Sequence, residues 1–446
     1  MDSEKYVNLS LNKLILQCSI PAIVTSVFGA VYSMVDGLFV GRYLGGNALA
    51  AINLVMPVIM IIEALSNMIA TGSSVHIALL LGEKKREDAS RVFTVSIKVI
   101  LVCSCVIGAM GFLFAQPFVE LIAPGAKIQA IQFGTQYLKV YALFAPLIPI
   151  NYALDNYLRV CGKQNFSMVV EIVSQLANVV LDFLLIVVFR QGIASAAVAS
   201  CTSIVGASIV MLAAFVGKKL DIYYTKTGIS MSCFFHIVAN GASEFFSTIS
   251  MSVISIIMNL FLLRYGGTTA IAAYSIVMYV DSIIGMITFS ICDSMQPAIS
   301  YCYGAGKIQR MNRIFKKTTF GIILLSVAAF LFMFFAGSSV AAAFIRQGDT
   351  TLKTVSNVAI RIFSISYLTR WIDMCFSSFF TAVDKPVHSL LVSVSGTLVF
   401  PVLFLCVLTK FLGLNGVWLT PFVAACASGT FTLILVKRTK IMEMKR

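Results

Sequence analysis

The chain has 446 residues, 59% of them hydrophobic and 12% charged, with a mean hydropathy of +0.93. Soluble domains are about 45–50% apolar and about 25% charged, so an ordinary water-soluble fold is excluded and a protein that crosses a membrane many times is expected. The net charge of +14 alone would suit a nucleic-acid binder, but the placement of the basic residues excludes that partner.

A hydrocarbon core of about 30 Å needs about 20 apolar residues as helix. On that measure twelve spans are predicted, near 14–41, 48–81, 92–115, 133–160, 166–189, 193–216, 232–263, 270–303, 317–345, 354–382, 388–409 and 414–436. The segment MDSEKYVNLSLNK lacks the basic start of a signal peptide, and the apolar run after it is too long for one, so span one is expected to stay in the mature protein. Pro21, Pro57, Pro146, Pro149, Pro297 and Pro401 fall inside spans, where neighbouring helices or a wet cavity must satisfy the freed backbone.

With the amino terminus inside, 22 of the 33 Lys and Arg fall on inner segments, 8 on outer ones, and Lys98, Arg361 and Arg370 inside spans. The inner set includes Lys84, Lys85, Arg86, Lys218, Lys440, Lys445 and Arg446; the outer set includes Arg42, Lys127, Arg190 and Arg346. The bias of short loops therefore places both termini in the cytoplasm, and the protein in the cell membrane as a multi-pass chain. Eleven cysteines lie mostly in apolar runs without a CxxC spacing, and His76, His236 and His388 are far apart in sequence. Neither a disulfide framework nor a metal centre is expected.

The two halves of the chain match at an offset of 222 residues. Arg42, Tyr43 and Gly45 pair with Arg264, Tyr265 and Gly267; Ala50 and Ala51 pair with Ala272 and Ala273; Lys163 pairs with Lys385. Six spans in each half is an even number, so both repeats enter the membrane from the same side. They form parallel lobes, residues 1–220 with spans one to six and residues 221–446 with spans seven to twelve. The fold class is an all-α polytopic membrane protein.

Ionisable residues inside spans cost several kcal/mol and are functional candidates by default. Eight stand out: Asp36, Glu63, Asp182, Glu244, Asp281, Asp293, Asp373 and Arg370. Counting along the spans puts Asp36, Asp182 and Thr202 roughly 8, 11 and 14 Å from the outer boundary, with Asn178 one turn from Asp182. Two acids, an amide and a hydroxyl at one level suit an ion or proton site. The competing reading pairs Asp36 with Arg42 and Asp182 with Arg190, but six and eight residues miss the helical spacing of three or four. Asp155 is four residues from Arg159 and is read as a surface pair. Arg370, three residues before Asp373, leaves a structural pair and a cation ligand equally open there. Glu63, Asp281 and Asp293 either line a cavity or bond to neighbouring helices.

The segment VYSMVDGLFVGRYLGGNALAAINLVMP (31–57), the loop GEKKREDASRVF, the exit YLRVCGK with its counterpart FFTAVDKP, and the starts GIASAAVA and GLNGVWLT carry a family resemblance. Together they resemble the multidrug and toxic compound extrusion (MATE) family across the whole chain. That resemblance implies two six-helix bundles in a V shape and efflux by alternating access, driven by proton or sodium entry. It implies an amino-terminal cation site at Asp36, Asn178, Asp182 and Thr202, and in some members a sodium site at the positions of Glu244 and Asp373.

The expected function is a secondary antiporter exporting amphipathic, cationic organic compounds in exchange for H+ or Na+. The alternative in the same superfamily is a flippase for a lipid-linked polyisoprenoid substrate, which would require a strongly cationic cavity. No enzyme is expected, since no HExxH or Ser/His/Asp constellation lies at membrane depth. The expected partners are small organic substrates and membrane lipids, with no nucleic acid and no cofactor or metal beyond the coupling ion. The protein is expected to be a monomer.

Overall fold

The computed structural model describes residues 2–122, 128–216, 219–226, 231–345 and 349–439. Of the residues used for orientation, Lys127, Lys218, Arg346, Lys440, Lys445 and Arg446 therefore lie outside the described residues. Among the described residues the chain is helical, with no strand.

After two short turns (Asp2–Glu4 and Lys5–Asn8) come α1 (Leu11–Phe39), α2 (Gly46–Gly82), α3 (Arg86–Leu113), α4 (Ala115–Ile122), α5 (Ile128–Phe144), α6 (Ile148–Val160), α7 (Gln164–Asp182) and α8 (Ile193–Ala214). The second half holds α9 (Met231–Gly304), α10 (Ile308–Phe344), α11 (Thr350–Ser364), α12 (Tyr367–Ala382), α13 (Pro386–Val394), α14 (Phe400–Leu412) and α15 (Leu414–Thr439). Wider π-type turns extend α1 over Val40–Leu44 and α7 over Phe183–Val188, and join α13 to α14 over Ser395–Val399.

Among the described residues, nine helices are long and apolar enough to cross a membrane, or ten when α5 and α6 count as one span bent by 50°. Pro146 and Pro149 stand at that bend and remove the amide hydrogens that would continue the helix. The long α9 breaks at Gly267, whose φ of +63° and ψ of −161° lie outside the helical region, so it carries both the seventh and eighth predicted spans. The tenth falls on α11 and α12, of 15 and 16 residues, each too short to cross alone. All twelve predicted spans thus fall on helix.

The repeat is visible in the backbone. Every residue with positive φ among those described has a partner about one repeat away: Gly45 with Gly267, Lys84 with Gly306 and Gly162 with Asp384 at 222 residues, and Arg190 with Gly413 at 223. Left-handed backbone costs a non-glycine residue roughly 1–2 kcal/mol, so its retention at Lys84, Arg190 and Asp384 marks turns that the helix packing dictates. The cores share a register too. Val40, Ala48, Ala51, Val55 and Leu138 in one cluster correspond to Leu262, Ala270, Ala273, Val277 and Ile360 in the other.

The chain divides into two compact units, Met1–Gly241 and Ala242–Arg446. The first turns of α9 belong with the first unit because its backbone presses directly on α2. A Cβ on Gly72 would stand 2.0 Å from the Ile237 carbonyl oxygen, and one on Gly241 would stand 1.8 Å from that of Met68. Within this unit α1 packs on α7, α7 on α8, and α2 on α3, α5 and α6. That order sets α1, α7 and α8 side by side.

Candidate functional site

The α1–α7–α8 neighbourhood collects three of the four residues expected in the first lobe. Asp36 comes from α1, and Asn178 and Asp182 from the last turns of α7. Asp182 is fully buried and Asn178 is 2% exposed. The carboxyl groups of Asp36 and Asp182 are neighbours. With its amide nitrogen turned to the acid, Asn178 donates to Asp182 Oδ2 at 2.8 Å. Its oxygen then accepts from Ser200 Oγ at 3.0 Å and Ser200 N at 2.9 Å.

One oxygen of each acid, Asp36 Oδ1 and Asp182 Oδ1, is buried with no hydrogen-bond partner. No Lys or Arg among the described residues pairs with either acid; neither Arg42 nor Arg190 does so. Two carboxyls with acceptor oxygens to spare and no fixed cation are chemically suited to a mobile positive charge.

The expected hydroxyl is replaced by its neighbour. Thr202 is exposed on α8, and Ser200 reaches Asn178 instead. Two residues along a helix are about 200° apart, so the two hydroxyls point to nearly opposite faces. Tyr32, one turn before Asp36, is a neighbour of the same Ser200. Tyr141 Oη donates to Glu63 Oε1 at 3.4 Å. Sequence reasoning missed both tyrosines and Ser200; only the i, i+4 spacing of Tyr32 and Asp36 signalled one of them. The predicted Asp155–Arg159 pair forms at 2.6 Å, but Asp155 is only 7% exposed, so the pair is interior and not superficial.

In the second unit Arg370 does not pair with Asp373. Its Nη1 lies 2.6 Å from Asp281 Oδ1, joining α12 to α9. Asp373 accepts from Ser428 Oγ at 2.7 Å and from Thr432 Oγ1 at 3.4 Å, two hydroxyls one turn apart on α15. Asp293 is the acid facing Glu244. Glu244 and Asp373, expected together by resemblance, thus keep different neighbours. The sequence also hid two encounters. The rings of His76 and His236 lie 4.9 Å apart, and Cys292 Sγ is 3.7 Å from Cys375 Sγ.

Two equivalent bundles of membrane-crossing helices, with acids buried inside them, define a polytopic membrane transporter. The chain belongs to the MatE family, whose model matches residues 21–184 and again residues 245–407. The second match begins 224 residues after the first, at 245 against 21, which restates the repeat. The chain is similar to the multidrug export protein MepA of Staphylococcus saprophyticus, 24% identical over 439 residues that span 97% of this chain and 95% of that protein. It is similar also to MepA of Staphylococcus aureus, 25% identical over 437 residues that span 96% and 94% of the two chains. A solved structure of a MATE protein in its straight conformation superposes with a TM-score of 0.90 at 23% identity, covering 99% of both chains. That last likeness concerns the fold.

Proposed function

We propose that the protein is a secondary antiporter of the cell membrane, with both termini cytoplasmic, which exports amphipathic organic cations in exchange for H+ or Na+. The observation that carries this reading is the Asp36–Asp182 pair, Asp182 buried and Asp36 half-buried, linked to Asn178 and Ser200, and without a basic partner among the described residues. A cation bound there from outside and released inside contributes about 2.3 kcal/mol per charge per 100 mV of membrane potential, plus its concentration term. The relatives named as multidrug exporters support small organic molecules as the cargo. The acids Glu63, Glu244 and Asp293 favour cationic cargo over anionic. The protein acts as a monomer and needs no cofactor beyond the coupling ion.

Ethidium export from everted vesicles, with pH and sodium gradients imposed separately, tests this reading. Asp36→Asn and Asp182→Asn are each expected to abolish gradient-driven export while leaving the amount of folded protein unchanged. Wild-type rates from both variants under every gradient would remove the coupling site from this pair.

A further inference from the structure

The helix that carries Asn178 and Asp182 is polar along more of its length than those two residues need. Ser167, Glu171, Ser174, Gln175, Asn178 and Asp182 recur on α7 at steps of three and four, a single stripe facing α1, α6 and α8. Ser174 Oγ donates to the Ser203 carbonyl of α8 at 2.9 Å. Gln175 lies beside Gly29 of α1, where a Cβ would stand 3.6 Å from its amide nitrogen, and its Oε1 is buried without a hydrogen-bond partner.

Glu171 is the second acid of the stripe. This acid accepts from Asn151 Nδ2 at 2.7 Å, and Asn151 Oδ1 accepts in turn from Ser208 Oγ at 3.3 Å. The charged groups nearest to it are Asp155 and Arg159 of α6. Those two already neutralise each other at 2.6 Å, and Ser167 Oγ donates to Asp155 as well. Charge counting then leaves Glu171 as the unbalanced member, because its own partner is a neutral amide. A proton on Glu171 makes the cluster neutral. Beside the Asp155–Arg159 pair lies a small cavity of about 10 Å³, lined by Asp155, Arg159, Ser167, Gln164, Thr25 and Cys18. That is the space of one water molecule with several polar partners.

We propose that Glu171 is the inner proton station of the first unit. It accepts the proton that leaves the Asp36–Asp182 pair and passes it to water at the cytoplasmic end of α7. The inference rests on the reading of that pair as the coupling site. Eleven residues of helix separate Asp182 from Glu171, about 16 Å, too far for one transfer. The proton therefore moves through hydroxyls and water held along the stripe; the amides of Asn178 and Gln175 orient these carriers without themselves exchanging the proton. Each transfer moves one proton between an oxygen donor and an oxygen acceptor, so no other reactant is consumed. The fold itself does not require the acid: one repeat later the position of Glu171 is Ser393, and Asp155 and Arg159 correspond to Ser377 and Thr381.

The test compares wild type, Glu171→Gln, Glu171→Asp and Asp36→Asn in proteoliposomes loaded with ethidium. Gln retains the acceptor for Asn151, so a purely structural role would survive the change. Glu171→Gln is expected to keep thermal stability and ethidium affinity, to lose about 10-fold or more of proton-driven export, and to lose dependence of the rate on cytoplasmic-side pH. Glu171→Asp is expected to restore that pH profile. Wild-type export from Glu171→Gln, or a lowered rate with an unchanged cytoplasmic-side pH profile, would overturn the relay. Asp36→Asn separates the two ideas: a silent Asp36→Asn removes the coupling site, whereas a defective Asp36→Asn beside a silent Glu171→Gln removes only the relay.

Discussion

The two units share backbone turns and core positions but carry different polar interiors. On α6 and α7 the first unit sets Asp155, Arg159 and Ser167 in contact. One repeat later, on α12 and α13, the same three positions are Ser377, Thr381 and Ser389. There Thr381 Oγ1 lies 2.6 Å and Ser377 Oγ 3.2 Å from Ser389 Oγ. Asn151, which holds Glu171, becomes Asp373, which takes two hydroxyls from α15 instead. Asp36 and Asp182 become Met258 and Phe404. The scaffold thus accepts an ion pair or a hydroxyl cluster at one place, and the chemistry of each unit follows its own residues. In the first unit Asp36 and Asp182 lack a fixed cation; in the second, Asp281 has one in Arg370.

That contrast gives the largest expected effects. Asp182→Asn is expected to reduce uphill export to about one hundredth or less, with stability little changed, since an amide needs no counter-charge. Arg370→Met is expected to do the reverse kind of damage. It strands Asp281 in an interior site, a change that typically costs about 3–5 kcal/mol, and lowers the thermal midpoint in detergent. The double variant Asp281→Leu with Arg370→Met is expected to recover most of that loss, because a buried pair replaced by apolar residues is often neutral. If Arg370→Met instead leaves stability intact and removes coupling, the division between an active first unit and a braced second unit fails.

Much of this was readable before any coordinates. The 222-residue offset, the twelve spans and the meeting of Asp36 with Asn178 and Asp182 follow from hydropathy, helical spacing and depth, which are nearly one-dimensional quantities. What escaped was set by rotation about helix axes. Depth alone cannot distinguish Ser200 from Thr202, which sit on one turn but face apart. Depth also cannot choose between Asp373, three residues away on the same helix, and Asp281, 89 residues away, as the partner of Arg370. The burial of the Asp155–Arg159 pair was hidden for a similar reason. Its spacing was legible, but α7 and its Ser167, which cover it, come from another element.

A smaller effect probes the same comparison from the side of packing. Gly396 lies in the π turn after α13, where a Cβ would stand 2.5 Å from Asp373 Oδ2. One repeat earlier the position is Ser174, and the counterpart of Asp373 is the neutral Asn151. Gly396→Ala is therefore expected to destabilise by about 1–3 kcal/mol through overpacking. Asp373→Ala in the same chain is expected to relieve it, so the two changes together should cost less than their sum. Strict additivity of the two thermal shifts would show that the glycine serves the backbone turn and not the acid.

The smallest effect lies outside the membrane, where the chain start is fastened to the first unit. Ser3 N donates to Asp221 Oδ2 at 2.9 Å, and Asp2 Oδ2 lies 2.7 Å from Lys163 Nζ. The hydrogen bond from Lys163 holds the Asp2 carboxyl below its ordinary value of 3.8, so the carboxylate is the form that the fold favours. Its contribution is complete above that ordinary value and disappears as the pH falls through the lowered folded value. Both side chains are largely solvent-exposed, at 57% for Asp2 and 41% for Lys163, which keeps the contribution to about 0.2–1 kcal/mol at neutral pH. Asp2→Asn is accordingly expected to weaken hydrogen-exchange protection of the Ser3 amide by a factor of about 1.5 to 5 at neutral pH. The difference should shrink in high salt and vanish well below pH 3.8, where the wild-type carboxyl is itself protonated. Equal protection at neutral pH would mean that the Ser3–Asp221 bond holds the segment without help from the ion pair.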